Sequence, residues 1–299
     1  MRYRTACIVV LVLAISSTAI SQFAWQKPAP RSKEAIAKIL GPTTKKAPSR
    51  DLNIVWVWGI DKLHAKETHE YAWVMHRYAN ELLPKVPRVT VTPAMFFPKK
   101  EQWEKADLVV FYLWPHGKWD YDLIDAYQKR GGGLIFIHLS VMQGSGQELA
   151  KRIGLAWDHR KGATKWGMLP TPATITEAGK KSPILKGFGA KFDLADELYW
   201  NLRGDPKGIN VLMTSPAGPA IANKPLKGPP KIEDLDGKKW PVMWTKEVAK
   251  GRVFVSLPGH NYFNFNDPYF RIILLRAMAW TMKESFEPFK PLVTLQLKR

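Results

Sequence analysis

The sequence predicts an α/β protein built on a mostly parallel sheet with helices on both faces. Three observations predict it. The runs at 52–58, 108–113, 133–137 and 251–257 are almost continuously apolar and rich in β-branched and aromatic residues, as strands covered on both faces are. Segments with helical spacing of apolar residues stand between several of them. Cap and stop residues mark the ends of both kinds of element.

The first segment, 1–22, stands apart from this alternation. Arg2 and Arg4 precede an apolar run at 6–15, and small residues follow up to Ser21, the pattern of a secretory signal peptide. The run is shorter than the roughly 20 residues that span a bilayer, so no membrane span is expected after cleavage. The expected location is therefore the periplasm or the extracellular space. Cys7 is the only cysteine and lies in this segment. The folded body can hold no disulfide, no cysteine zinc site and no catalytic thiol.

Residues 23–50 read as a linker, with Pro28, Pro30, Pro42 and Pro48 scattered among lysines. One short helix interrupts it, announced by Ser32 as N-cap, by the apolar pairs Ala35/Ile36 and Ile39/Leu40, and by Gly41-Pro42 as the stop. The main domain is expected over 51–285, with 286–299 as a tail. After the strand at 52–58, Thr68 is the expected cap of a helix carrying Tyr71, Met75, Tyr78 and Leu82 and stopped by Pro84. Strands at 86–91 and 108–113 follow, then a helix at 121–130 ended by Gly131. The strand at 133–138 leads to a helix opened by Ser145, with Glu148 three residues on as a capping box, and closed at Gly154.

From 160 to 240 the chain is rich in Gly, Pro and Lys. Short strands are expected there at 172–176, 192–196 and 209–214, with a long loop at 215–239. A strand at 251–257 and a helix from Asp267-Pro268 to about 283 complete the domain.

In open parallel sheets, ligands sit beyond the carboxyl ends of the strands, where loops and helix N-termini gather. His138 follows the strand GLIFI and His260 follows VFVSLPG, while His69 enters the helix after the first strand. All three approach one rim.

These residues also carry a resemblance. GGGLIFIH at 131–138, DELY at 196–199, PVMW at 241–244, GRVFVSLPGH at 251–260 and DPYFRIILLRAMAW at 267–280 occur in the order seen in the trehalose-utilisation (ThuA-like) family. The resemblance covers about 52–283. It implies a flavodoxin-like sheet of the class I glutamine amidotransferase type and a role in carbohydrate breakdown. Where amidotransferases carry a nucleophilic cysteine, this chain has His138, Leu139 and Ser140, so glutamine hydrolysis through a thiolate is excluded. Ser140 lacks a G-x-S-x-G elbow around it.

The resemblance carries the family's polar set onto His69, His138, His159, Glu197, Tyr199 and His260. His138, Glu197, Tyr199 and His260 are thereby the candidate catalytic residues. His138, His159 and His260 are candidate ligands of a divalent metal such as zinc. Alternatively, Glu197 and a histidine act as base and acid on an oxidised sugar. His69 and three tryptophans, Trp114, Trp157 and Trp200, are candidates to bind the sugar, since aromatic faces suit sugar rings. The rival reading is a non-catalytic carbohydrate-binding protein on the same scaffold.

Charge supplies a third reading. The chain has 45 Lys and Arg against 26 Asp and Glu, a net +19. Loss of Arg2 and Arg4 would leave +17, enough to attract polyanions. The basic residues come as separated pairs, however, with no nucleic-acid motif beside them, so nucleic acid is not the expected partner.

Overall fold

The computed structural model describes residues 27–44, 46–61, 63–64, 66–117, 119–220 and 231–295; the segment read as a signal peptide lies outside them. Helix α1 (Lys33–Leu40) forms as its sequence dictates, with the Ser32 hydroxyl accepting from the Ala35 N–H and Gly41 closing the last turn. Strand β1 (Leu52–Trp58) follows. Helix α2 (Tyr71–Met75) runs on through a wide π-turn segment, His76–Leu82, and a final 3-10 turn, Leu83–Lys85. Its N-cap is Glu70 rather than Thr68, because Thr68 is drawn into a β-bridge with Asn261.

Strand β2 (Val89–Met95) begins three residues later than the sequence suggests, since Pro87 and Arg88, at φ 64°, turn the chain first. It is the sheet edge next to β1, where Pro93 costs no ladder bond on its outer side. Helix α3 (Lys100–Lys105), β3 (Leu108–Tyr112), α4 (Tyr121–Arg130), β4 (Gly133–Ile137) and α5 (Gly146–Ile153) come next. The small elements β5 (Leu155–Ala156), β6 (Lys165–Met168), β7 (Ala173–Ile175), α6 (Glu177–Lys181) and β8 (Lys191–Phe192) fill the Gly- and Pro-rich middle. After β8 the chain leaves the sheet, so 193–196 is not a strand, and β9 (Glu197–Trp200) pairs instead with β6. Then come β10 (Arg203–Gly204), β11 (Asn210–Ser215), β12 (Trp240–Val248), β13 (Gly251–Ser256) and α7 (Pro268–Thr281).

Nine strands form one sheet in the order β2-β1-β3-β4-β13-β12-β11-β7-β8. The first five run parallel, and the remaining four extend the sheet antiparallel. Every residue of β3 and β4 is buried, which requires cover on both faces. Helices α4 and α7 supply part of that cover: a Cβ on Gly133 would lie 2.8 Å from the Thr281 carbonyl oxygen, and one on Gly251 would meet the backbone of Gln128. Residues 287–295 pack onto the domain: Phe289, Leu292 and Val293 are buried, and the Arg271 guanidinium donates to the carbonyls of Leu292, Val293 and Leu295. Among the described residues no helix is long and apolar enough to cross a membrane.

Candidate functional site

The parallel half of the sheet puts the carboxyl ends of β1, β3, β4 and β13 on one edge, and the polar residues collect there. His138 takes the first position after β4 with φ 55°, a left-handed conformation that non-glycine residues enter only at a cost. The twist turns its ring across the rim. There its Nδ1 lies 2.9 Å from the Leu257 carbonyl oxygen. A carbonyl only accepts, so Nδ1 carries the hydrogen and Nε2 is left with its lone pair.

His260 follows β13, the neighbour of β4, through the turn Leu257-Pro258-Gly259. Gly259 sits at φ 146°, and a Cβ there would come within 2.5 Å of Ile137. The buried carboxylate of Asp196 fastens this turn, accepting from the N–H groups of Glu197, Gly259 and His260 and from the Asn264 amide. Burial pushes the Asp196 carboxyl up to about 6 despite these donors. His69 reaches the rim from the loop after β1. Its own N–H donates to the His260 carbonyl at 2.9 Å, and the Tyr262 N–H donates to Glu67.

The three rings converge. His69 Nε2 is 2.8 Å from His138 Nε2 and 3.2 Å from His260 Nδ1. Burial drives all three imidazoles toward the neutral form: His138 falls to about 3, and His69 and His260 lie well below the usual histidine range, each further lowered by neighbouring rings. Glu197 and Tyr199 share one face of β9, being two residues apart. The Glu197 carboxylate approaches His138 Nε2 at 3.7 Å and His260 Nδ1 at 3.5 Å. The Tyr199 hydroxyl is 2.7 Å from His138 Nε2 and donates to Glu197 at 3.3 Å. Burial, and then the charge of Asp196, raises the Glu197 carboxyl well above the usual range.

Four of the residues predicted as a centre, His138, Glu197, Tyr199 and His260, therefore meet, and His69 joins them. His159 does not. It lies exposed on the loop after β5, lining a separate surface cavity of about 330 Å³ with Ser145, Gln147, Arg160 and Arg203. Of the expected ligands His138, His159 and His260, the structure brings His138 and His260 together with His69 instead, the ligand atoms of these three all lying within 4.8 Å of one another.

The tryptophans divide similarly. Trp114 is half-buried at the mouth, its ring 6.0 Å from that of His69, and Trp157 packs edge-on against Tyr199 at 5.2 Å. Trp200 is buried on the opposite face of β9 against Gly167, away from the cluster. Ser140 is also committed elsewhere: its hydroxyl donates to the Phe111 carbonyl and accepts from the Leu113 N–H, tying β3 to the turn after β4.

Sequence reasoning missed Asp196 as the anchor of the turn, and it missed Asp61 and His64. The latter two lie beyond the end of β1, with Asp61 Oδ2 3.0 Å from His69 Nδ1 and 2.6 Å from His64 Nδ1. Their position past the carboxyl end of a buried strand was the available signal.

A trehalose-utilisation family model, ThuA, matches residues 54–281. No curated protein matches the chain. Among solved structures, a ThuA-like protein from Bacteroides uniformis is similar at 17% identity, with 81% of this chain and 94% of that chain covered and a TM-score of 0.55. Another ThuA-like protein, from Parabacteroides merdae, shows 17% identity, coverage of 78% and 90%, and a TM-score of 0.55. At such identity these structures establish the shared fold, a flavodoxin-like α/β sheet. With its family match extending from β1 to the last residue of α7, the chain belongs to the ThuA, or trehalose-utilisation, family.

Proposed function

We propose that the protein processes a sugar or an oxidised (keto) sugar at this rim, with His69, His138 and His260 holding a divalent cation such as zinc. The observation that carries the reading is the convergence of three ring nitrogens. His69 Nε2, His138 Nε2 and His260 Nδ1 lie close together, and burial favours the neutral form of each ring, in which an unprotonated nitrogen offers a lone pair. A divalent cation between them would accept all three lone pairs at once. Nitrogen ligands about 2.0–2.1 Å from a tetrahedral zinc are themselves separated by about 3.3 Å. The 2.8 and 3.2 Å gaps from His69 Nε2 lie close to that separation. Three ligands leave a fourth position for a sugar oxygen or a water, as in catalytic rather than structural zinc sites.

Around that position the residues divide the work. A divalent cation held by the three histidines would supply Lewis-acid polarisation of a carbonyl or hydroxyl oxygen of the sugar. Glu197, as carboxylate, takes the proton from the carbon beside the carbonyl; the electron pair moves onto the carbonyl oxygen, where Tyr199 donates a hydrogen bond to the developing charge. A bound cation would favour the ionised form of Glu197 against the effect of burial. Trp114 and Trp157 offer flat apolar faces to the ring beside the cluster. An exported location suits a protein that meets sugars before uptake, and the N-terminal segment supports it.

Purified protein should carry a divalent metal, and Glu197→Gln should retain it while losing about 100-fold or more in turnover. The assay is product detection on oxidised and unmodified disaccharides, alongside elemental analysis. Wild-type turnover in Glu197→Gln, or no product from any of these sugars, overturns the reading.

A further inference from the structure

We infer that the site holds a second divalent cation at its mouth, bound by Asp61, His64 and the outer nitrogen of His69, so that the His69 imidazole bridges two ions. The inference rests on the reading of the inner triad as a metal site. His69 turns its Nε2 inward to His138 and His260, which leaves Nδ1 facing the loop after β1. That Nδ1 is buried, and no hydrogen-bond partner is aligned with it, although Asp61 Oδ2 stands 3.0 Å away. A buried ring nitrogen beside a carboxylate but not aligned with it for a hydrogen bond is placed to share a cation with that carboxylate.

The neighbours are the right kind. Asp61 Oδ2 also lies 2.6 Å from His64 Nδ1, and the ligand atoms of Asp61, His64 and His69 all fall within 4.8 Å of one another. Imidazole and carboxylate together suit zinc, copper or nickel. His64 is a surface residue, its side chain one-third exposed, yet its ring is held edge-on to His69 at 4.0 Å and tilted against Trp114 at 5.0 Å. The outer ion would thus sit between solvent and the inner position, where an incoming sugar first arrives.

The protons and charges balance. Binding of the outer ion displaces the hydrogen of His69 Nδ1 to solvent, leaving an imidazolate. Two dications facing that imidazolate, the Asp61 carboxylate and the Glu197 carboxylate retain one positive charge. A hydroxide or an ionised sugar hydroxyl would neutralise it.

The test uses chelator-stripped full chain dialysed against zinc, with bound metal counted by elemental analysis. Two ions per chain are expected in the wild type. His64→Ala and Asp61→Asn should keep the inner ion and weaken the outer by ten-fold or more. With copper in both positions, the bridging ring should couple the two ions and suppress their paramagnetic resonance signal. His64→Ala should restore the signal of an isolated ion. One ion in the wild type, unchanged in His64→Ala, overturns the second position and leaves the inner site standing. Two ions that persist in both variants place the second elsewhere and also overturn it. No bound ion overturns both the inner reading and this one.

Discussion

His138 illustrates how one residue is made to serve the cluster. Its left-handed backbone turns the ring over the rim, the Leu257 carbonyl fixes the hydrogen on Nδ1, and complete burial suppresses protonation to about 3. Above about 6.5 both folded and unfolded chains hold this histidine neutral. Below it, the unfolded chain takes up a proton that the folded chain refuses, so stability falls with acidity until about pH 3. Asp196 acts in the opposite sense. With its carboxyl raised to about 6, its contribution is present below about 3.8 and is lost as pH rises through 6. Because Asp196 is common to both proteins, comparing wild type with His138→Gln isolates the histidine. Denaturant melts of metal-free protein between pH 4 and 6 should show the pH slope of stability reduced in His138→Gln by up to ~1.4 kcal/mol per pH unit. Equal slopes would contradict the assignment of a neutral buried ring.

At the scale of elements, local signals succeed where one device decides the outcome. Helix α4 runs from its Asp120 cap to Gly131 at φ 104°, and α7 runs from Asp267-Pro268 to Thr281, much as caps and stops dictate. They fail where tertiary pairing competes. Thr68 has the chemistry of a cap but is used in a bridge to Asn261, and Glu70 takes its place. Strand β12 has Pro241 as its second residue and Lys246 and Glu247 near its end; it forms because its centre, Val242 to Thr245, is buried between β11 and β13. Close approach between elements is equally hidden from sequence. At Gly133, the first residue of β4, a Cβ would meet both the carbonyl oxygen and the Cβ of Thr281 at 2.8–2.9 Å. Gly133→Ala should therefore push β4 away from the end of α7, costing about 1–3 kcal/mol in a denaturant melt. An unchanged midpoint would show that the helix end yields freely.

The whole molecule assembles its site by topology. His69, His138 and His260 are far apart in the chain, and no local spacing relates them. They meet because the parallel strands end on one edge, with β4 beside β13 and β1 two strands from β4. That much was legible, since alternating buried strands and helices predict where rim residues go. His159 stands apart from the cluster because the chain after β5 lies outside the main sheet, and membership of the same motif set carries no information about that departure. Asp61 and His64 were passed over because a carboxylate and an imidazole three residues apart in a loop look like an ordinary turn until the fold sets them against His69. The same separation of ligands along the chain means that metal binding should depend on the native sheet. Crystals soaked in zinc and measured at the zinc absorption edge test this most directly. The account predicts an anomalous peak about 2.0–2.1 Å from His69 Nε2, His138 Nε2 and His260 Nδ1. A map with no peak between these three nitrogens, at full occupancy of zinc in the soak, would contradict it.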